Sequence, residues 1–263
     1  TSRHGAVGLG PECSACQSHA GHVVTNLYTA EVAVLPESRY TGAKAQRLSR
    51  LRGRIGLCFV ASLSFIAGMT DSISFMVTGD FVSFMSGNTT RLAVSLSTSN
   101  VVLAVHIAVL IAAFVVGNAL GVVAATFSGR RARPLLFCIG LLLITGGMLG
   151  EHLIAPLLAV LAMGMINAVV EEVNGLPIGL TYVTGALSRF GRGLGRALLG
   201  QHRIGWRVQL VPWGGMLIGA IVGGAMAHTF AFKAMVISGV ITLGVGIASA
   251  AIPRRWQSRY MPK

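Results

Sequence analysis

The sequence predicts an all-α integral membrane protein, with about six transmembrane helices plus two re-entrant or broken helices in an inverted-topology repeat. Three observations predict it. The 263 residues are 53% hydrophobic and 11% charged, with mean hydropathy +0.71, whereas a soluble domain carries about a quarter charged residues. Six apolar runs approach the roughly 20 residues (17–25) that a helix needs to cross a hydrocarbon core. And one polar motif is written twice inside apolar surroundings, as Ser86-Gly87-x-x-Thr90-Arg91 and Thr184-Gly185-x-x-Ser188-Arg189.

Residues 1–50 lack apolar periodicity and read as a disordered cytoplasmic tail. Cys13-x-x-Cys16-x-x-His19-x-x-His22 lies in it. The intervals after Cys16 are too short for a zinc finger, whose second half needs a dozen or so residues to fold over the metal, so no metal is expected. The membrane domain is residues 51–252, and a basic cytoplasmic tail occupies 253–263. Within the domain, one repeat covers about 55–149 and the other about 153–252. The six runs are 55–77, 101–127, 134–149, 153–170, 208–230 and 234–252. Segments 80–99 and 177–190 do not qualify as spans, because each has Gly, Asn or Thr at its middle and an Arg soon after.

The net charge of +13 is confined to the tails and a few loops. Lys44, Arg47, Arg50, Arg52 and Arg54 precede the first run; Arg130, Arg131 and Arg133 form a turn; Arg189, Arg192, Arg196, Arg203 and Arg207 form a loop; Arg254-Arg255 follows the last run. No finger, basic helix or aromatic-basic sheet motif accompanies this charge, so nucleic acid is not expected as a partner. The bilayer is, because cytoplasmic loops collect Lys and Arg. Placing all four clusters, and hence both termini, in the cytoplasm leaves an even number of crossings between the first two. Segment 80–99 must then enter and leave from the outer side, and 177–190 from the cytoplasmic side. Each half becomes a span, a re-entrant piece and two spans, in opposite orientations. Gly68-Met69-x-Asp71 and Gly164-Met165-x-Asn167 align in the same way.

The stretches GMTDSISFM, FVSFMSGNTTRLAV, GMINAVVEEVNGLP and TYVTGALSRFGRGL resemble the YoaK family of bacterial multi-pass membrane proteins, a domain of unknown function. The resemblance covers roughly residues 50–252 and implies a bacterial inner-membrane location. It implies no substrate. Glu171-Glu172 departs from the basic or mixed residues usual at that place in the family.

Asp71 falls well inside the first run, where an ionised carboxylate is costly unless paired or watered. It reads either as a proton- or cation-coupling site, with the polar Asn167 as its partner in the other half, or as a helix-end Asp bonded to nearby backbone. Ser86, Gly87, Asn88, Thr184 and Gly185 would stand where re-entrant helices start. There, free N–H groups can hold an anion or polar group, or the hydroxyls can simply cap their own helices. Arg91 and Arg189 could pair with Asp71, Asp80 or Glu171, or reach the interface along their stems. Re-entrant backbone at membrane depth survives only against protein or a watered cavity, and paired broken segments in two halves point to a midplane solute site.

The expected function is therefore a secondary transporter or permease for a small polar or anionic solute. The alternatives are a membrane scaffold or stress protein without transport and an intramembrane enzyme, for which Asp71 and Asp80 are the only carboxylate pair worth naming, Glu171 and Glu172 reading as interfacial. No nucleophile–base motif supports catalysis and no cofactor is implied. A homo-oligomer is compatible with all of these.

Overall fold

A computed structural model describes residues 43–129, 131–170, 172–173, 176–177, 183–201 and 205–253, with backbone only for 43–50, 172–173 and 176–177. Helix α1 (Ala43–Thr78) begins inside the segment read from sequence as tail. It is followed by α2 (Met85–Ser97), α3 (Val101–Phe127), α4 (Ala132–Leu149) and α5 (Ile154–Ile166). Two two-residue strands, β1 (Glu172–Val173) and β2 (Leu176–Pro177), pair antiparallel. Helix α6 (Val183–Leu198), a 3-10 turn at Trp206–Gln209, α7 (Leu210–Phe230) and α8 (Lys233–Ala248) complete the described chain.

Among the described residues, five helical stretches are long and apolar enough to cross a bilayer: Leu51–Thr78, Val101–Phe127, Ala132–Leu149, Trp206–Phe230 and Lys233–Ala251. The run at 153–170 is not a sixth helix of that length. Its helix α5 has 13 residues, about 20 Å at 1.5 Å per residue, against a hydrocarbon core of about 30 Å. The chain leaves the helix at Asn167 and passes 167–169 as a turn, with Val169 and Val170 fully buried. The amide of Asn167 donates to Met163 O (3.4 Å), and such side-chain bonds to nearby backbone compete with helix continuation.

Helices in lipid gain nothing from hiding apolar surface from one another, so they associate by close packing. Here α1 packs on α7, α3 on α5 and α4 on α8, with α4 also touching α5 and α1 touching α8. Gly215, Gly219 and Gly223 of α7 lie against the α1 backbone: a Cβ at Gly219 would strike Phe65 O. Gly117 of α3 meets Leu161 O of α5 in the same way. Gly140 of α4 faces Gly239 O and Leu243 of α8, while Gly239 faces Gly140 O and Ile144, so that contact is reciprocal. The largest fully buried side chains come from α1 (Leu63, Ile66, Met69, Ile73), α3 (Ile107, Leu110), α4 (Leu135, Leu136, Ile139, Leu143) and α5 (Met163, Ile166). The outward faces carry Val102, Phe127, Leu141, Leu217 and Ile221 exposed, surface that matches lipid rather than water.

Candidate functional site

The site begins where α1 ends. Gly79, in the left-handed region at φ 78°, stops the helix and lets residues 79–84 turn back along it. Asp71, two turns before that end and 5% exposed, holds this loop. Its Oδ1 accepts from the N–H groups of Val82 (2.7 Å) and Ser83 (2.9 Å), and its Oδ2 from Ser83 Oγ (2.5 Å). A carboxylate is acceptor-only, which suits a loop whose backbone N–H groups have no ladder partner. The loop delivers Met85, the first residue of α2, beside Phe114, the middle residue of α3. From there α2 runs back towards its own turn at 98–100, where Asn100 Oδ1 caps α3 by accepting from Leu103 N (3.1 Å). The chain thus doubles back within the depth of α3.

A cavity of about 160 Å³ lies at the start of α2, lined by Ser83, Phe84, Met85, Ser86, Phe114, Thr184 and Gly185. Thr184 and Gly185 belong to the first turn of α6, so the first turns of both short helices face one space. Among the described residues the Ser86 N–H has no backbone acceptor, leaving a donor beside the Ser86 and Thr184 hydroxyls. A helix N-terminus carries partial positive charge, and two converging on one cavity favour a solute with acceptor atoms.

Ser86, Thr184 and Gly185 are thus brought together. Asp71 stands one side chain behind them, joined to the lining through Ser83. Gly87 is off the cavity, under the ring of Phe84, which a Cβ would strike. Asn88 is fully buried; its amide donates to Phe81 O (2.7 Å) and its Oδ1 finds no partner among the described residues. Arg91 lies a turn further on and pairs with Asp80 (3.0 Å) rather than Asp71. Asn167 is on the α3–α5 side, where its amide donates to Asn118 Oδ1 (3.3 Å). Arg189 does not simply reach outward, because its Nε donates to Gln209 Oε1 (3.0 Å). The Cys13/Cys16/His19/His22 cluster and Glu171 lie outside the described residues, as does the side chain of Glu172. Among the described residues no group of three or more His, Cys, Asp or Glu could hold a metal ion.

Several participants were missed. Ser83, Phe84 and Met85 precede the motif and carried no repeat signal; Phe114 looks like any apolar residue of its run. His106 and Asn118 could have been found: each is a polar interruption of 101–127, and such residues in spans usually have partners.

Long apolar helices joined through glycine contacts and faced with exposed aliphatic side chains define a multi-pass membrane protein. The chain belongs to the family whose model, described as "Protein of unknown function (DUF1275)", matches residues 59–248. It is similar to the UPF0700 transmembrane protein RA0705 of Rhizobium meliloti (strain 1021), 45% identical over 214 residues, which is 81% of this chain and 95% of that protein. No solved structure matches it. These matches agree with the resemblance drawn from the polar motifs to a bacterial multi-pass family of unknown function.

Proposed function

We propose that the protein is a secondary transporter or permease for a small polar or anionic solute, built as an inverted-topology repeat, with its site where the two copies of the polar motif face each other. The observation that carries this is the joint lining of one cavity by Ser86 and Thr184, equivalent positions of the duplicated motif, together with Gly185. The helix pairing supports the repeat. If α1–α4 correspond to α5–α8, then α1 on α7 answers α5 on α3, α1 on α8 answers α5 on α4, and α4 on α8 is its own image. Broken helices meeting at such an interface are the arrangement alternating access uses. The bacterial inner membrane, with both termini cytoplasmic, belongs to the same proposal and rests on the basic clusters.

The size of the cavity bounds the solute. About 160 Å³ is close to the ~150 Å³ that admits a benzene-sized molecule, so the solute is a compound of few heavy atoms. The test is a thermal-shift screen of purified protein against small metabolites, followed by uptake into proteoliposomes. A ligand at 100 times its dissociation constant stabilises by about 2.7 kcal/mol. Gly185→Val adds bulk to the cavity wall, where among the described residues a Cβ meets only the Arg189 guanidinium at 3.7 Å. It should abolish the ligand-induced shift and cut uptake at least tenfold while leaving the unliganded melting temperature unchanged. A solute that still shifts and crosses with Gly185→Val in place overturns the site.

A further inference from the structure

The two motif arginines differ in what balances their charge. Arg91 of α2 meets Asp80 Oδ1 at 3.0 Å, and the same buried carboxylate takes His106 Nε2 of α3 at 2.7 Å. Arg189 of α6 has an uncharged partner instead, because its Nε donates to Gln209 Oε1 (3.0 Å). Two more arginines follow on α6. Arg192 Nη1 donates to the Ser188 hydroxyl (2.9 Å), and Arg196 stands in the last turn; both are exposed. From residue 173 to residue 263 the chain has no Asp or Glu, and among the described residues no carboxylate pairs with Arg192 or Arg196.

Charge and apolar surface are also segregated around this helix. At 100° per residue, Leu187, Leu194 and Leu198 fall within about 40° of one another, and Arg189, Arg192 and Arg196 fall within about 60° on nearly the opposite side. The leucines are unusually open, with Leu198 and the adjoining Leu199 81% and 76% exposed. A third side faces protein. There a Cβ at Gly193 would strike Trp206, whose ring lies 5.0 Å from that of Phe190. The Arg207 guanidinium stands 5.2 Å from the Trp206 ring centre, so a third exposed arginine is held one ring away from α6.

We infer that α6 and the Trp206–Gln209 turn dock an anionic phospholipid of the bilayer, with Arg192, Arg196 and Arg207 on its phosphate and the leucines along its acyl chains. A helix with a basic face and a leucine face settles at the boundary of headgroups and acyl chains. Trp is enriched at the same level, which places Arg207 there with Trp206. Arg192 and Arg196 are one turn apart, about 6 Å along the axis, close enough to hold one phosphate between them. The planar guanidinium fork matches phosphate oxygens. A zwitterionic headgroup brings its own cation and gains less from the arginines, whereas a free phosphate ion would leave the leucines uncovered. The inference is independent of the transport reading and rests on the chain being a membrane protein. The first turn of α6 lines the cavity through Thr184 and Gly185, so a lipid held on its second half steadies the helix that forms that wall.

The test titrates the full chain in a non-ionic detergent with phosphatidylglycerol or phosphatidylcholine and reads bound lipid by native mass spectrometry. Phosphatidylglycerol should bind the more tightly, and millimolar inorganic phosphate should not displace it. Arg192→Gln combined with Arg196→Gln should weaken phosphatidylglycerol binding about 25-fold, at about fivefold for each arginine. Arg131→Gln combined with Arg133→Gln removes as much charge from exposed positions at the start of α4 and should leave binding unchanged. Equal binding of the two lipids, displacement by inorganic phosphate, or an equal loss in the two double variants overturns the inference. Should the Arg192 and Arg196 variant not fold, Trp213→Phe with Trp256→Phe leaves Trp206 as the remaining tryptophan of the three. Brominated phosphatidylglycerol in mixed micelles should then quench its fluorescence more than brominated phosphatidylcholine at the same mole fraction. Equal quenching overturns the docking surface.

Discussion

In the first half of the chain, α1 runs unbroken through Asp71 to Thr78; in the second, α5 stops at Ile166, one residue before Asn167. The two residues align through Gly68-Met69 and Gly164-Met165 but bond differently. Asp71 turns both oxygens to the loop beyond its own helix and accepts three hydrogen bonds from it. Asn167 bonds its amide across to Asn118 and back to Met163. A carboxylate can only accept, so it gathers loop N–H groups; an amide also donates, so it can serve its own helix end. The two halves therefore share a packing scheme and differ in their polar fastenings.

The shared part should break symmetrically, and with the largest effect. Gly219→Leu and Gly117→Leu each drive a side chain into a backbone carbonyl, of Phe65 and of Leu161 respectively. Neither carbonyl can swing aside as a flexible side chain could, so the helices must separate. Both variants should fail to yield monodisperse protein on size-exclusion chromatography. If one is tolerated and the other is not, the two helix pairs are not equivalent and the repeat loses its main packing support.

The fastenings should break asymmetrically. Asp71→Ala strands three buried donors, at about 1–3 kcal/mol for each one left unsatisfied, and allowing for partial relaxation we expect a loss of about 3 kcal/mol. Asn118→Ala removes the acceptor of the 3.3 Å bond from the Asn167 amide, a bond near the long limit, and should cost about 1 kcal/mol. Chemical unfolding in matched detergent measures both. Equal costs would mean that Asp71 is not the pin of the first loop. Asp71→Asn keeps one acceptor oxygen and should fall between the two.

What could be read from the sequence follows from the range of the physics. Helix α3 matches the run 101–127 because apolar length alone fixes a span. The motif positions Ser86, Thr184 and Gly185 were legible because duplication marked them. The short α5 was not: 153–170 is apolar enough to span, and only the local competition at Asn167 ends its helix. Asp71 was found as a buried carboxylate, but its partners Val82 and Ser83 are eleven and twelve residues away through a loop no pattern describes. Asp80–His106 joins residues 26 apart, a contact set by how α2 folds back on α3, which composition and periodicity do not encode.

The smallest difference between the halves is the best controlled. Thr70 Oγ1 of α1 and Ser238 Oγ of α8 lie 2.7 Å apart, both fully buried. By the alignments of Asp71 with Asn167 and of Gly140 with Gly239, their counterparts are Ile166 of α5 and Ile139 of α4, also fully buried. One interface thus holds a hydroxyl pair where the other holds two isoleucines. The Thr70 hydroxyl also has a place to go alone, since it donates to Ile66 O at 2.8 Å. Interhelical hydrogen bonds inside membrane proteins average about 0.6 kcal/mol by double-mutant cycles, with a maximum near 1.7. The cycle Thr70→Val, Ser238→Ala should therefore return a coupling of about 0.6 kcal/mol, measured by unfolding in detergent. A coupling near zero would mean that Thr70 is satisfied within its own helix and that α1–α8 is held, like α4–α5, by shape alone; that result would make the two interfaces energetically alike and confine the asymmetry to Asp71, Asp80 and His106.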